Sequence, residues 1–226
     1  MRWVSSLLPR KRLNRESSLQ PEDFARSPGA DEAAPAATQA IRRFPPLTVA
    51  TPRLDVRVLA AADADEVDEI LGDRQTLRWL SFPAGAAQPA GNDWCTDLAE
   101  QRRAAGAGDH YGVIRREDDR LVGLLWTRRT DWGSMSTEVS FAVSAKARGF
   151  GVAAEALDAL TIALMLEHSF QRIELRLVPG NTAGRRVAEK AGFVYEGLLR
   201  NAGNVHSGRV DLEMWSLVAG DLRATP

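Results

Sequence analysis

The chain has 226 residues, 44% of them hydrophobic, which is enough for one good core and short for two full domains. Its formal net charge of -1 gives no support for bulk nucleic-acid binding, which requires a clearly basic domain. The single cysteine, Cys95, excludes an internal disulfide and a cysteine metal cluster, and it fits a reducing cytoplasm. The three histidines lack metal-ligand spacing, so we expect no metal site.

Residues 1–45 are expected to form a flexible extension, because residues 15–40 are rich in Ser, Pro, Ala and acidic residues and have almost no large apolar side chains. An apolar patch near the N-terminus precedes its basic residues, which is the reverse of a secretory signal. No apolar run approaches the ~18 residues that a transmembrane helix needs, so we expect no membrane partner. A folded domain is predicted over residues 46–226.

Regular hydrophobic periodicity begins near residue 53 and predicts seven strands and four helices. In chain order these are a strand at 51–59, a helix at 62–71, a helix from an Asn92 N-cap to about 105, a hairpin of strands at 110–116 and 121–128, a strand at 136–143, a helix at 149–168, a strand around 173–177, a helix from Asn181 to Gly192, and two final strands.

The loop between the third central strand and its helix is the most informative segment. Glycines at the mouth of a helix leave its first N–H groups uncovered, and the helix dipole places partial positive charge there. Gly149 and Gly151 therefore predict a cradle for a pyrophosphate. A Walker loop is excluded because no Gly-Lys-Ser/Thr follows, and a dinucleotide fingerprint is excluded because its third glycine is missing.

The reading Arg148-x-x-Gly151-x-Ala153 resembles the acyl-coenzyme A signature of the GNAT N-acetyltransferase superfamily. A second segment, 177–200, resembles the branch of ribosomal-protein N-terminal acetyltransferases, and segments 51–59 and 208–217 are similar to that branch's first and last strands. The resemblance covers about residues 46–222. It implies an α/β fold of the GNAT type, with a mixed central sheet of about seven strands, helices on both faces, and a splayed pair of parallel strands that holds acyl-CoA.

The resemblance also implies a site for acetyl-CoA as co-substrate. By resemblance, the pyrophosphate is expected to be bound by backbone N–H groups of Arg148, Gly149, Phe150, Gly151, Val152 and Ala153. Pantetheine pairing falls to the backbone of Phe141, Ala142 and Val143. Asn181 would reach the pantetheine arm, and Arg185 or Arg186 the adenosine phosphates, although a solvated helix face explains these arginines equally well.

At the residues for proton transfer this sequence differs from the family it resembles. One part of the branch uses a Ser and a Glu for this step, and the corresponding positions here are Gly184 and Gly203. We therefore expect Glu138, on the central strand, to accept the proton, because burial disfavours a charged carboxylate and makes it a better base. The alternative for Glu138 is an ion pair with a neighbouring arginine. His206 and Asp211 are second choices.

The expected activity is direct transfer of an acetyl group from acetyl-CoA to a primary amine in a ternary complex. By resemblance the acceptor is a protein N-terminal α-amine. A small amine such as an antibiotic, a polyamine or an amino-acid derivative is the first alternative, and a non-catalytic acyl-CoA-binding module is the second. Aromatic residues near Trp79–Gly85 and Trp132, with the 200–208 loop, are expected to wall the acceptor cleft, although these aromatic residues could equally belong to the core, where tryptophan is usually found. We expect a cytoplasmic monomer or homodimer.

Overall fold

One mixed β-sheet organises the residues that the computed structural model describes, which are 42–80, 89–205 and 208–222. All neighbouring strands of this part of the chain are antiparallel except β5 and β6. In the order in which they pair, the eight strands are Thr48–Ala50 (β1), Leu54–Val58 (β2), His110–Arg115 (β3), Arg120–Asp131 (β4), Ser136–Val143 (β5), Arg172–Leu177 (β6), Gly208–Val218 (β8) and Val194–Val205 (β7). The predicted mixed sheet is confirmed, with one strand more than expected because β1 pairs with β2.

Six α-helices flank this sheet within the described residues: Ala64–Gly72 (α1), Arg74–Trp79 (α2), Gly91–Cys95 (α3), Asp97–Ala104 (α4), Val152–Leu166 (α5) and Thr182–Lys190 (α6). The single helix predicted from an Asn92 N-cap to about 105 is wrong. It is broken at Thr96, whose backbone lies at φ -122 and ψ -98 and whose hydroxyl donates to the Asn92 carbonyl oxygen at 2.8 Å. No helix in the described ranges is both long enough and apolar enough to cross a membrane.

The two faces of the sheet carry separate hydrophobic clusters, so the prediction of helices on both faces is confirmed. On one face, α5 buries Leu157, Leu160 and Leu164 completely. On the other face, Trp94 of α3 packs with Trp126 of β4, together with residues of α1. The stripe of leucines on α5 follows the helical period, which explains why this helix could be predicted from sequence.

Phe44 belongs to the main core, although it lies within the predicted extension. Its side chain is 0% exposed, and its ring centroid lies 5.8 Å from those of both Trp132 and Phe170. Its backbone N–H donates to the carbonyl oxygen of Arg103 at 2.8 Å. The core therefore begins before residue 46, while residues 1–41 of the predicted extension lie outside the described residues.

Two truncations test where the domain begins. A chain that starts at Pro46 lacks Phe44, and loss of a buried phenylalanine costs about 3–5 kcal/mol. We expect its thermal midpoint to lie about 10 °C below that of a chain that starts at Arg42. The Arg42 chain should match the full-length protein in midpoint and in acetyl-CoA affinity, measured by calorimetry. Equal midpoints for the two truncated chains would contradict the role of Phe44.

Candidate active site

The two parallel strands at the centre of the sheet separate along part of their length, as the resemblance predicts. β5 and β6 pair over three rows only, ending with Glu138 opposite Glu174. Each strand continues beyond that row, because β5 stays paired with β4 as far as Val143 and β6 stays paired with β8 as far as Leu177. The facing edges of β5 and β6 therefore diverge, and they open a cleft of about 410 Å³.

The cleft gathers most of the residues that the sequence proposes for acyl-CoA. Those that line it are Phe141, Ala142, Val143, Arg148, Gly149, Gly151, Val152, Ala153, Asn181 and Arg186. Phe150 is the exception, since its side chain is 71% exposed and borders a neighbouring groove with Arg53 and Lys146. Placement in one cleft supports a common ligand, and the individual roles stay predictions.

Both glycines of the loop adopt backbone conformations that favour glycine. Gly149 lies at φ 86 and Gly151 at φ 80, and Gly151 is the residue before α5. A Cβ at Gly149 would meet no atom within 4 Å, and one at Gly151 would meet only Arg53, at 3.6 Å. Glu155 is the residue whose N–H bonds back to the Gly151 carbonyl oxygen, so the preceding helical N–H groups lack helical acceptors. The loop thus presents bare amides to open space, as a pyrophosphate requires.

The Arg148 side chain points into the protein rather than toward a phosphate. It forms an ion pair with Asp73 and donates to Gln75 Oε1 at 2.9 Å, to Thr76 Oγ1 at 3.0 Å and to the Val143 carbonyl oxygen at 3.2 Å. The Arg148 guanidinium lowers the pKa of the Asp73 carboxyl below its usual value. Arg148 therefore fastens the start of α2 to the end of β5, and a cofactor role is left to its backbone.

Helix α6 supplies the second wall of the cleft. Asn181 caps it as predicted, accepting a hydrogen bond from the Gly184 N–H at 2.9 Å. The two arginines considered for the adenosine phosphates diverge: Arg185 pairs with Glu213, whereas Arg186 lines the cleft. Lys190, one turn further along α6, lines it too. The helix thereby offers two cations at the cleft rim.

The two glycines that replace the branch's Ser and Glu are crowded. A Cβ at Gly184 would lie 2.8 Å from Asn181 Nδ2, and one at Gly203 would lie 2.8 Å from Leu212 Cδ2. Contacts this short force a neighbour to move. The local packing is therefore built around glycine at both positions, and a serine or glutamate there would require rearrangement.

Glu138 is fully buried within a cluster of three arginines, two from β4 and one from β6. Arg128 Nε lies 2.7 Å from Oε1, Arg129 Nη1 2.5 Å from Oε2, and Arg176 Nε 3.2 Å from Oε2. A β-bulge between Arg128 and Asp131, with Arg129 at φ 52, turns two successive arginines toward one carboxylate. Arg128 and Arg176 line the cleft, and Glu138 lies behind them. Its contacts match the ion-pair alternative, and the base assignment stays a prediction.

The other candidates for proton transfer lie away from the cleft or outside the described residues. Asp211 accepts a hydrogen bond from the Asn201 N–H at 2.7 Å and does not line the cleft, and His206 lies outside the described residues. His110 is buried beside Trp94, and this burial lowers its pKa to about 4. The described residues contain no group of three His, Cys, Asp or Glu side chains that could hold a metal ion.

The aromatic wall predicted for the acceptor is correct only in part. Trp79 and Leu80 line the cleft, and residues 81–88 lie outside the described ranges. Trp132 is wrong as a wall residue, because its ring packs on Phe44 and Phe170 and its Nε1 donates to the Gly106 carbonyl oxygen at 2.9 Å. The hydrophobic effect placed this tryptophan in the core, where tryptophans are commonly found.

Sequence reasoning missed several residues of the inner cleft: Trp126, Arg128, Ser140, Arg176 and Leu212. A signal was present on β6, where arginine and glutamate alternate with the buried Ile173 and Leu175. This alternation indicated that the charged side chains of β6 share one face of the sheet. It could not indicate which strand would supply the partners.

Comparison with known proteins gives a consistent result. A family model described as an acetyltransferase (GNAT) domain matches residues 53–194. The uncharacterized N-acetyltransferase p20 of Bacillus licheniformis is 23% identical over 171 residues, which make up 76% of this chain and 96% of that protein.

Two solved structures illustrate the shared fold. RimL, a ribosomal L7/L12 alpha-N-protein acetyltransferase in complex with coenzyme A, has a TM-score of 0.67 at 14% identity, over 76% of this chain and 98% of its own. A spermidine N-acetyltransferase SpeG chimera from Vibrio cholerae and hSSAT has a TM-score of 0.63 at 16% identity, over 76% and 99%. Identities this low establish the fold and leave the acceptor open.

The glycine loop yields a direct test of the cofactor site. Gly151→Leu places a side chain in the space before α5 and imposes a positive φ on leucine, so we expect acetyl-CoA affinity to fall by at least tens-fold. Calorimetry measures this affinity. Gly192→Ala is the control, because Gly192 has a similar φ of 81 but does not line the cleft. Unchanged affinity in a folded Gly151→Leu protein would remove the loop from the site.

Proposed function

The chain belongs to the GNAT acetyltransferase family, and we propose that it transfers the acetyl group of acetyl-CoA to the α-amine at a protein N-terminus. Family membership makes it an acetyl-CoA-dependent N-acetyltransferase. The acceptor is the proposed part, and the observation that carries it is the charge of the cleft. Five basic residues line it and no acidic residue does, among the residues that the structure describes.

The open edge of β5 supports the proposed mode of acetyl-CoA binding. Beyond Glu138, the backbone groups of β5 that face β6 lack strand partners in the described structure. Unpaired backbone groups in a sheet edge accept an extended ligand as an added strand. The peptide-like pantetheine arm fits that edge at Phe141–Val143, the loop amides suit the pyrophosphate, and Arg186 and Lys190 suit the remaining phosphates.

The basic cleft favours an α-amine as the acceptor. An α-amine has a reference pKa of about 7.7–8.0, whereas a lysine-type amine has one of about 10.4. Nearby positive charges disfavour the ammonium form, and a reduction of roughly one unit leaves an α-amine mostly neutral at physiological pH. The same reduction leaves a lysine-type amine almost wholly protonated and unreactive. A polyamine would also bring several positive charges into a site that already carries them.

The chemistry follows from a neutral amine held at the inner end of the cleft. Bound acetyl-CoA supplies the thioester, and its thiol, with a reference pKa of ~8.5, is a fair leaving group. The backbone of β5 and the loop amides orient the co-substrate, and the acceptor enters from the side walled by Trp79 and Trp126. With the ammonium already disfavoured, proton removal makes a smaller demand on a general base.

Two alternatives are weaker on the same observations. A small amine that bears negative charge remains compatible with the cleft, since the basic lining disfavours cationic acceptors. A non-catalytic module was suggested by Gly184 and Gly203, and membership of an acetyltransferase family argues against it. A cytoplasmic location stays a prediction from the single cysteine, Cys95.

An acceptor screen tests the proposal. Release of free thiol from acetyl-CoA is measured with peptides that carry a free N-terminus, with the same peptides blocked at the N-terminus but containing lysine, and with spermidine and an aminoglycoside. We expect turnover with free N-termini alone, because only the α-amine is neutral enough in a basic cleft. Preference for spermidine or for lysine side chains would overturn the proposal.

Glu138→Gln separates the base hypothesis from the ion-pair alternative. If Glu138 accepts the amine's proton, turnover should fall by ~10²–10⁴ while acetyl-CoA affinity stays constant. Glu174→Gln is the matched control, because Glu174 lies opposite Glu138 and also pairs with Arg176. A fall of less than tenfold, or one equal to that of the control, would rule out Glu138 as the base and leave it as a support for the arginines.

A further inference from the structure

The inner end of the cleft presents two arginines to the acceptor. Arg176 lies two residues beyond Glu174, so continuing the β5–β6 register places it beside Ser140, at the point where the strands begin to diverge. Arg128 lies two residues beyond Trp126 on β4. Both side chains are 21% exposed, and both line the cleft. We propose that these arginines bind a carboxylate carried by the acceptor beside its reactive amine, an inference that rests on the proposed function.

The group of ion pairs around Glu138 carries more positive than negative charge. Arg128, Arg129, Arg172 and Arg176 form ion pairs with Glu138, Glu174 and Glu196, so four guanidiniums face three carboxylates in the described residues. A fifth arginine, Arg102, is close enough that Arg128 helps to lower its pKa, after the larger effect of its own burial and against an opposing effect of Asp109. Positive charge in a partly desolvated place is costly unless an anion balances it. In this group of ion pairs the guanidiniums outnumber the carboxylates by one, and a carboxylate on the acceptor would balance the difference.

The Arg176 guanidinium is held in place by two carboxylates. Its Nε lies 3.2 Å from Glu138 Oε2 and its Nη2 lies 3.2 Å from Glu174 Oε2, so the side chain bridges the last paired row of the two strands. The Nε contact is an ion pair without hydrogen-bond geometry, since Nε is buried and makes no hydrogen bond in the described structure. Two carboxylates therefore hold the guanidinium in place, and Arg176 lines the cleft. A preorganised guanidinium of this kind suits a carboxylate, which it can bind through two parallel hydrogen bonds.

Arg128 and Arg176 lie far from the glycine loop that is proposed to bind the co-substrate's pyrophosphate. Ser140 lies three residues before the end of β5, which corresponds to about 10 Å of strand. The glycine loop begins beyond that end, and Arg186 and Lys190 lie on α6 along the other wall. The inner arginines are therefore left for the acceptor.

The occupant that fits is a protein N-terminus whose second or third residue is Asp or Glu. Its α-amine and its side-chain carboxylate are close together, and Arg128 and Arg176 are also near each other, because both contact Glu138. A free acidic amino acid offers the same chemistry from a different source. The two are distinguished by including free aspartate and glutamate as acceptors, and we expect the peptides to be acetylated and the free amino acids not.

Charge-matched peptide pairs test the proposal on the unmodified protein. Peptides beginning Ser-Asp and Ala-Glu are compared with otherwise identical peptides beginning Ser-Asn and Ala-Gln, and kcat/KM is measured for each. We expect the acidic member of each pair to be preferred by tenfold or more, mostly through KM, because it adds charge-assisted hydrogen bonds. Equal rates within the pairs would overturn the carboxylate proposal and leave N-terminal acetylation intact. Transfer to spermidine alone would overturn both.

Substitutions then assign the preference to residues. Arg176→Met should remove most of the preference, and Arg176→Lys should retain part of it, since lysine keeps the charge but loses the bidentate geometry. Arg120→Met is the matched control, because Arg120 is exposed at the opposite end of β4. Melting temperature and acetyl-CoA affinity confirm that each variant is folded. An equal loss of rate on acidic and neutral peptides would assign Arg176 to the transfer step and overturn the proposal.

Discussion

The end of β5–β6 pairing at Glu138 and Glu174 is the constraint on which the site depends. Like charges opposite each other on adjacent strands are unfavourable, and here Arg176 bridges them. Beyond that row both strands remain held by their outer neighbours, so the gap between them is stable without closing. A stable gap leaves backbone groups for an extended ligand, and it places the glycine loop at one end and the arginine cluster at the other.

Positive charge has different uses along the cleft. Arg148 stands in the sequence where a phosphate ligand is expected, but its side chain fastens α2 to the end of β5 through Asp73 and Thr76. Arg186 and Lys190 lie on α6 and remain available to phosphates. Arg128 and Arg176 are anchored by the buried carboxylate of Glu138, and we propose that this holds them in position for an acceptor. A count of basic residues does not distinguish these uses, whereas their partners do.

Most of the fold could be predicted, because the hydrophobic residues of most strands and helices recur with the period of that element. Strand β5 was predicted with the bounds that the structure shows, and α6 with its cap at Asn181. The errors arose where one hydrogen bond or one packing contact overrides a pattern. A hydroxyl bond from Thr96 breaks a helix, the positive φ of Gly151 delays the start of α5, and Phe44 joins the core from a segment without periodicity.

The sequence by itself determined the glycine loop that we propose for the pyrophosphate, because its glycines, helix start and preceding strand are contiguous and their chemistry depends on the backbone. Only the tertiary structure decided the arrangement at the proposed acceptor side. Glu138, Arg128 and Arg176 come from three strands, and they meet because of the antiparallel β4–β5 register and the parallel β5–β6 register, which no local pattern specifies. It also decided that Arg185 faces Glu213 while Arg186 faces the cleft. Long-range pairing sets these choices, since side chains of equal local propensity acquire different partners when the chain closes on itself.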